Sequence, residues 1–158
     1  MNKKNITVVG MGYVGLSNLL LLAPHNQMIG YEINLERLKL LQKGESPLND
    51  NEIKEYLSKY YNEISFVNSK IDAFLDAHYV IISTPTDYDE QRNYFNTNSV
   101  IKVIEEVGEV NPNAIIIIKS TIPFGFVTST RKKYPNLTII FSPEFLREGQ
   151  ALKDNLEP

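Results

Sequence analysis

The chain has 158 residues with 42% hydrophobic and 22% charged side chains, the size and balance of one globular domain able to bury a continuous core. A formal net charge of −3 gives no electrostatic case for nucleic acid or an anionic membrane as partner, and no apolar run approaches the ~18 residues of a membrane span. There are no cysteines, which removes disulfides, thiolate metal ligands and a thiol nucleophile; with no signal-peptide core after Met1-Asn2-Lys3-Lys4, a cytoplasmic setting is expected.

In chain order, short apolar runs alternate with helical patterns. Strands are expected at 6–9, 28–33, 64–67, 79–83, 114–119 and 137–141. Helices are expected between them at 13–23, 35–43, 50–60, 71–76, 97–110 and 126–133. The stretch Gly44-Glu45-Ser46-Pro47-Leu48-Asn49-Asp50 reads as a loop ending in a helix cap. Most apolar runs are continuous, as for strands covered on both faces. In the helix at 97–110, Val100, Val103, Ile104 and Val107 recur at helical spacing and should face the sheet. The alternation implies an α/β, Rossmann-type, doubly wound fold, with a mainly parallel six-stranded sheet and helices on both faces.

The first strand runs directly into Gly10-Met11-Gly12-Tyr13-Val14-Gly15 and then an apolar helix. A strand, G-x-G-x-x-G and a helix together form the context that a dinucleotide fingerprint requires. Gly10 would make the tight turn, Gly12 would admit the pyrophosphate, and Gly15 would let helix and strand pack closely. The helix start adds free N–H groups and a positive dipole end for the anion. Glu32 follows the glycines by roughly 20 residues, where an acid accepts hydrogen bonds from the adenosine ribose. Its charge would repel a 2′-phosphate, favouring NAD over NADP. Taken alone, the same acid could be a solvated strand-end charge. Arg37 reads equally as a cover for the adenosine and as a surface residue.

Ligands of open α/β sheets sit beyond the carboxyl ends of the strands, and the remaining unusual segments all fall there. The fourth strand ends in Ser83-Thr84-Pro85-Thr86, the fifth in Lys119-Ser120-Thr121-Ile122-Pro123, and the sixth in Phe141-Ser142-Pro143-Glu144-Phe145-Leu146-Arg147-Glu148-Gly149. If the last segment were helical, Glu144 and Glu148 would share a face, one placed to take a proton and the other to touch a ligand. An ordinary acidic helix start explains the same residues. His25 and His78 fall in a turn and before a strand, and neither is expected to be catalytic. Tyr56, Tyr60 and Tyr61 read as helix packing. No metal site is expected.

These segments, together with Asn93-Tyr94-Phe95, resemble the UDP-glucose/GDP-mannose dehydrogenase family over nearly the whole chain. The resemblance implies that Gly10, Met11, Gly12, Tyr13, Val14 and Gly15 cradle the NAD pyrophosphate and that Glu32 holds the ribose. Arg37, Thr84, Pro85, Thr86, Ser120, Thr121 and Glu148 become further cofactor contacts. It implies catalytic roles for Thr121, Glu144 and Glu148, and UDP-sugar contacts from Glu144, Phe145, Leu146, Arg147 and Glu148. The family more often carries aspartate at the positions of Glu32 and Asn96. Its members continue into a linking helix and a second domain that bring the nucleophilic cysteine, a lysine and most of the UDP pocket, and they dimerise. Residues 1–158 are accordingly expected to be the NAD-binding domain alone, part of a homodimer in the complete enzyme.

The expected chemistry is a two-step, NAD-dependent oxidation of the sugar C6 alcohol to a carboxylate. A thiolate suits the trapping of the aldehyde. Hydrolysis of the resulting thioester needs a carboxylate and a hydroxyl that orients water, roles suited to Glu144 and Thr121. Other sugar-nucleotide dehydrogenases, acting on GDP-mannose or a UDP-N-acetylhexosamine, remain open. So do a β-hydroxyacid-type dehydrogenase and a non-catalytic NAD-sensing module.

Overall fold

A computed structural model describes residues 2–89 and 94–157. Its chain order is β1 (Asn5–Val9), α1 (Tyr13–Leu22), β2 (Gln27–Tyr31), α2 (Leu35–Leu41), α3 (Asn51–Tyr60), β3 (Ile64–Val67), α4 (Lys70–Phe74) and β4 (Tyr79–Ile82). There follow β5 (Asp87–Asp89), β6 (Tyr94–Asn96), α5 (Asn98–Val110), β7 (Ile115–Ile118), α6 (Phe126–Lys133), β8 (Thr138–Phe141) and α7 (Ala151–Leu156). Six strands form one sheet in the order β3-β2-β1-β4-β7-β8, with every pairing parallel. Strand order reverses beside β1, so the carboxyl ends of β1 and β4 flank a crevice, the usual ligand position in such sheets.

Both faces are covered, which explains the continuous apolar strands. On one face Leu16, Leu19 and Leu20 of α1 pack with Ile53 and Leu57 of α3, Leu152 of α7 and Ile6 and Val8 of β1. On the other, Phe74 of α4 packs with Val100, Val103, Ile104 and Val107 of α5 over Val80, Ile82, Ile116 and Ile118. The helical spacing in α5 therefore faces the sheet as expected. Each fully buried aliphatic side chain contributes about 1.5–3 kcal/mol.

Among the described residues, side chains cap three of the helices. Asn34 accepts from the amides of Glu36 and Arg37 at the start of α2, Asp50 from Ile53 at α3, and Ser69 from Asp72 at α4. The cap at Asp50 ends the loop where the sequence places it. His78 Nδ1 accepts from the Asn5 amide at 3.1 Å, a structural use of that histidine. Tyr56, Tyr60 and Tyr61 pack against the α1–α3 core.

Several boundaries shift. Ser83 and Lys119 lie just past β4 and β7, and α2 stops at Leu41. The β5–β6 hairpin is antiparallel and was not anticipated from the sequence pattern; Asn93, quoted above, lies outside the described residues. Asn96 Oδ1 accepts from the Asn98 amide at 3.1 Å, so its amide serves the start of α5. The helix considered for Glu144–Glu148 does not form. Residues 142–147 are irregular, a turn follows, and α7 begins only at Ala151. Pro143 lacks an amide donor, and Gly149 takes φ +76°, which reorients the chain before α7.

Candidate cofactor-binding cleft

The glycine turn is fixed by its neighbours. Gly10 has φ +88°, and a Cβ there would meet the Ser83 carbonyl oxygen at 2.8 Å. At Gly15 a Cβ would lie 1.8 Å from the Gly10 carbonyl oxygen, so only glycine lets α1 start this close to β1. Gly12 differs from both: a Cβ there would meet nothing within 4 Å. It is the N-cap of α1, in extended conformation, and no side chain caps that helix. The start of α1 also lacks acidic residues. Its uncapped amides are thus available to an anion.

Met11 turns its side chain fully into the core and its amide the other way. That amide donates to Glu32 Oε2 at 3.1 Å, while the Asn34 amide donates to Glu32 Oε1 at 2.8 Å. Glu32 is only 6% exposed and is one of the residues lining the cleft. A carboxylate has about four acceptor sites, so two amide bonds leave capacity for ribose hydroxyls.

The cleft has a volume of about 260 Å³. It gathers Gly10, Met11, Gly12, Glu32, Arg37, Thr84 and Pro85 from the expected set. Val9, Ser83, Ile33, Tyr31 and a stripe of α5, namely Ser99, Lys102, Val103 and Glu106, complete the walls. Apart from Ser83, which belongs to the strand-end segment Ser83-Thr84-Pro85-Thr86, these wall residues were missed in the sequence. The available signal was the polar residues at helical spacing beside the apolar face of α5. Glu106 lies 4.0 Å from Lys102. Burial raises the Tyr31 phenol above its ordinary value, with the charge of Glu106 adding to the effect and Lys70 opposing it. Ile33, at 71% exposure, forms an apolar lip.

One polar atom in this wall has no partner: Ser83 Oγ is buried without a hydrogen bond. An orphaned hydroxyl, an open Gly12 and an uncapped helix start all fit a dinucleotide laid across the turn.

Other predicted residues fall outside these walls. Tyr13, Val14 and Gly15 form the first turn of α1. The Ser120 hydroxyl donates to the Thr84 carbonyl at 2.7 Å, tying two strand-end loops together. Thr84 Oγ1 pairs with Ser99 Oγ at 3.0 Å. Thr121 is exposed at the end of β7, and Thr86 lies just past β4. In the 144–148 loop the Leu146 amide donates to Glu144 Oε2 at 2.6 Å. Phe145 is 93% exposed and Glu148 is exposed. Arg147 engages Asp154 through its side chain and its amide. Among the described residues, no cluster of metal-ligating side chains occurs and no helix is long and apolar enough to cross a membrane.

Comparison with known proteins decides the family. Residues 4–158 match the model of the UDP-glucose/GDP-mannose dehydrogenase family, NAD binding domain. The chain belongs to that family. It is the family's NAD-binding domain. UDP-glucose 6-dehydrogenase of Streptococcus pneumoniae is 40% identical over 153 residues, and that of Campylobacter jejuni is 36% identical over 155. Both alignments take in 97% of this chain but 39% of the relative, so the chain spans about two fifths of these curated relatives. A solved UDP-glucose dehydrogenase from Pyrobaculum islandicum superposes with a TM-score of 0.86 at 23% identity, covering 99% of this chain and 39% of that one. At that identity the likeness shows a shared fold.

Proposed function

We propose that this chain supplies the cofactor half of a UDP-glucose 6-dehydrogenase, which converts the C6 alcohol of UDP-glucose to a carboxylate in two NAD-dependent steps. The observation that carries the reading is the cleft itself. It gathers the uncapped start of α1, Glu32, and Ser83 with its buried, unpartnered hydroxyl around one space. The relatives at 36% and 40% identity support UDP-glucose as the sugar nucleotide.

When bound, NAD⁺ supplies the hydride acceptor. The amides at Gly12 and the first turn of α1 hold the pyrophosphate, and Glu32 holds the ribose hydroxyls. Ile33, Pro85 and Val103 offer apolar surface to the adenine, with Arg37 closing the mouth. Thr84, Thr86, Ser120 and Thr121 line the way along the strand ends toward the reacting centre. Ser120 acts there through its bond to the Thr84 carbonyl. Thr121 orients water, and Glu144 takes the proton from it in the hydrolytic step. Glu148 and the backbone of 144–147 present the loop to the UDP-sugar.

With no cysteine in the chain, the covalent trap comes from a second domain. Phe124, at 108% exposure, and Phe145, at 93%, are apolar surface for that domain to cover. Calorimetric titration with NAD⁺ tests the reading. One-to-one binding that is lost in Gly12→Val supports it, and absence of binding by the parent chain contradicts it.

A further inference from the structure

The family resemblance implies a substrate contact for Arg147, but its side chain is engaged by Asp154. Arg147 Nη2 donates to Asp154 Oδ1 at 2.6 Å, and Nε donates to Oδ2 at 3.2 Å. The Arg147 amide reaches the same Oδ2 at 2.9 Å. Two guanidinium donors and one backbone donor thus converge on one carboxylate, a geometry that fixes the arginine's place as well as pairing its charge.

Asp154 sits on α7, and α7 is firmly seated. Ala151 and Leu152 are fully buried, and Leu152 shares a core with Leu16, Leu19 and Leu20 of α1. Asn155 Nδ2 donates to Ser17 Oγ at 2.6 Å, two residues past the last glycine of the turn. Among the described residues the loop between β8 and α7 has other anchors at its two ends, and at the α7 end the Gln150 amide donates to the Arg147 carbonyl at 3.1 Å. Near its start the Ser142 amide donates to the Ile118 carbonyl. Lys119 Nζ lies 3.4 Å from the Ser142 carbonyl oxygen. Within the loop Glu144 accepts from Leu146.

We propose that Arg147 is a positioning residue. Through Asp154 and α7 it latches the loop bearing Glu144 and Glu148 onto the helix that begins at the glycine turn. The substrate loop and the cofactor turn are then mounted on one packed unit, and the spacing between carboxylates and cofactor is set before either ligand arrives. The latch leaves the Phe145 and Glu148 side chains outward and takes the arginine's charge away from the substrate. Its use in catalysis rests on the function proposed above; its existence does not.

The test is amide hydrogen exchange in this chain without NAD⁺, so that a failure to bind cofactor would overturn the proposed function and leave this result standing. In Asp154→Asn, exchange at Leu146 and Arg147 should accelerate at least tenfold while Leu19 and Leu152 keep their protection. Asp154→Glu, which restores the charge on a longer arm, should recover at least half of the loss on a logarithmic scale. Unchanged exchange at Leu146 and Arg147 in Asp154→Asn would overturn the latch. So would equal loosening of α1 and α7, or no difference between the glutamate and asparagine variants.

Discussion

Glu32 accepts the Met11 amide at 3.1 Å, which joins the acid at the end of β2 to the turn at the end of β1. The group expected to hold the ribose therefore also holds the loop that holds the phosphates. Its second oxygen takes the Asn34 amide at 2.8 Å, and Asn34 caps α2. One buried carboxylate thus shapes two sides of the cleft, and a glutamate spans them.

Replacing Glu32 should therefore damage recognition twice over. Hydrogen bonds to charged groups contribute about 1.5–3 kcal/mol each, so Glu32→Ala is expected to weaken NAD⁺ binding by about tenfold to hundredfold. The parent chain should prefer NAD⁺ to NADP⁺, and the variant should lose most of that preference. Calorimetry on both cofactors checks this. Equal affinities in the parent chain would remove Glu32 from the selectivity argument.

The glycines should separate stability from binding. Gly12→Ala adds a methyl group where nothing lies within 4 Å, so stability should change by less than about 0.5 kcal/mol. NAD⁺ affinity should nevertheless fall at least tenfold, because the methyl occupies the approach of the phosphates. Gly15→Ala places a Cβ 1.8 Å from the Gly10 carbonyl oxygen. Overpacking typically costs about 1–3 kcal/mol, and this backbone collision should reach at least the upper end. Thermal melts and titrations on the two variants should show opposite patterns.

Acid should test the Arg147–Asp154 pair. Hydrogen bonds from the Arg147 side chain and then from its amide hold the Asp154 carboxyl at about 2, below its ordinary 3.8. A depressed carboxylate contributes stability that is fully present above the unfolded value and lost as pH falls through the folded one. The pair's contribution should hold steady down to about 3.8 and fade toward about 2. Thermal melts of the parent chain and Asp154→Asn should differ near neutrality and converge across that window. A constant difference throughout would assign the effect to other groups.

The chain alone should form no NADH from UDP-glucose. On the proposed reading most of the UDP-sugar pocket comes from the second domain, so this chain does not hold the sugar C6 against the coenzyme for the first hydride transfer, and with no cysteine it cannot trap the aldehyde for the second. An absorbance assay at high chain concentration checks this, and sustained NADH production would contradict the division of labour proposed here.

The parts of this architecture legible in the sequence are those dictated locally. Gly10 and Gly15 announce themselves because left-handed backbone and close helix–strand contact exclude side chains, and Glu32 follows from spacing along one βαβ unit. The six parallel strands show through because strands buried on both faces must be continuously apolar. The cleft's α5 wall was hidden by the stronger signal of Val100, Ile104 and Val107, which dictate the core face and say nothing of Ser99, Lys102 or Glu106 beside it. The β5–β6 hairpin has three-residue strands, too short for a periodicity. Helix α7 has six residues and owes its place to a core supplied by α1, far away in sequence. The Arg147–Asp154 pairing depends on that docking, and an i,i+4 reading of Glu144 and Glu148 had no means of anticipating it.

The place where the coenzyme binds decides whether the glycine turn and Glu32 form its site. Titrating NAD⁺ into the isotope-labelled chain and following backbone amide shifts measures this directly. The largest changes should fall at Gly10, Met11, Gly12 and Tyr13, at Glu32 and Arg37, and at Ser83 and Thr84. A silent titration, or shifts centred away from the glycine turn, would contradict this site.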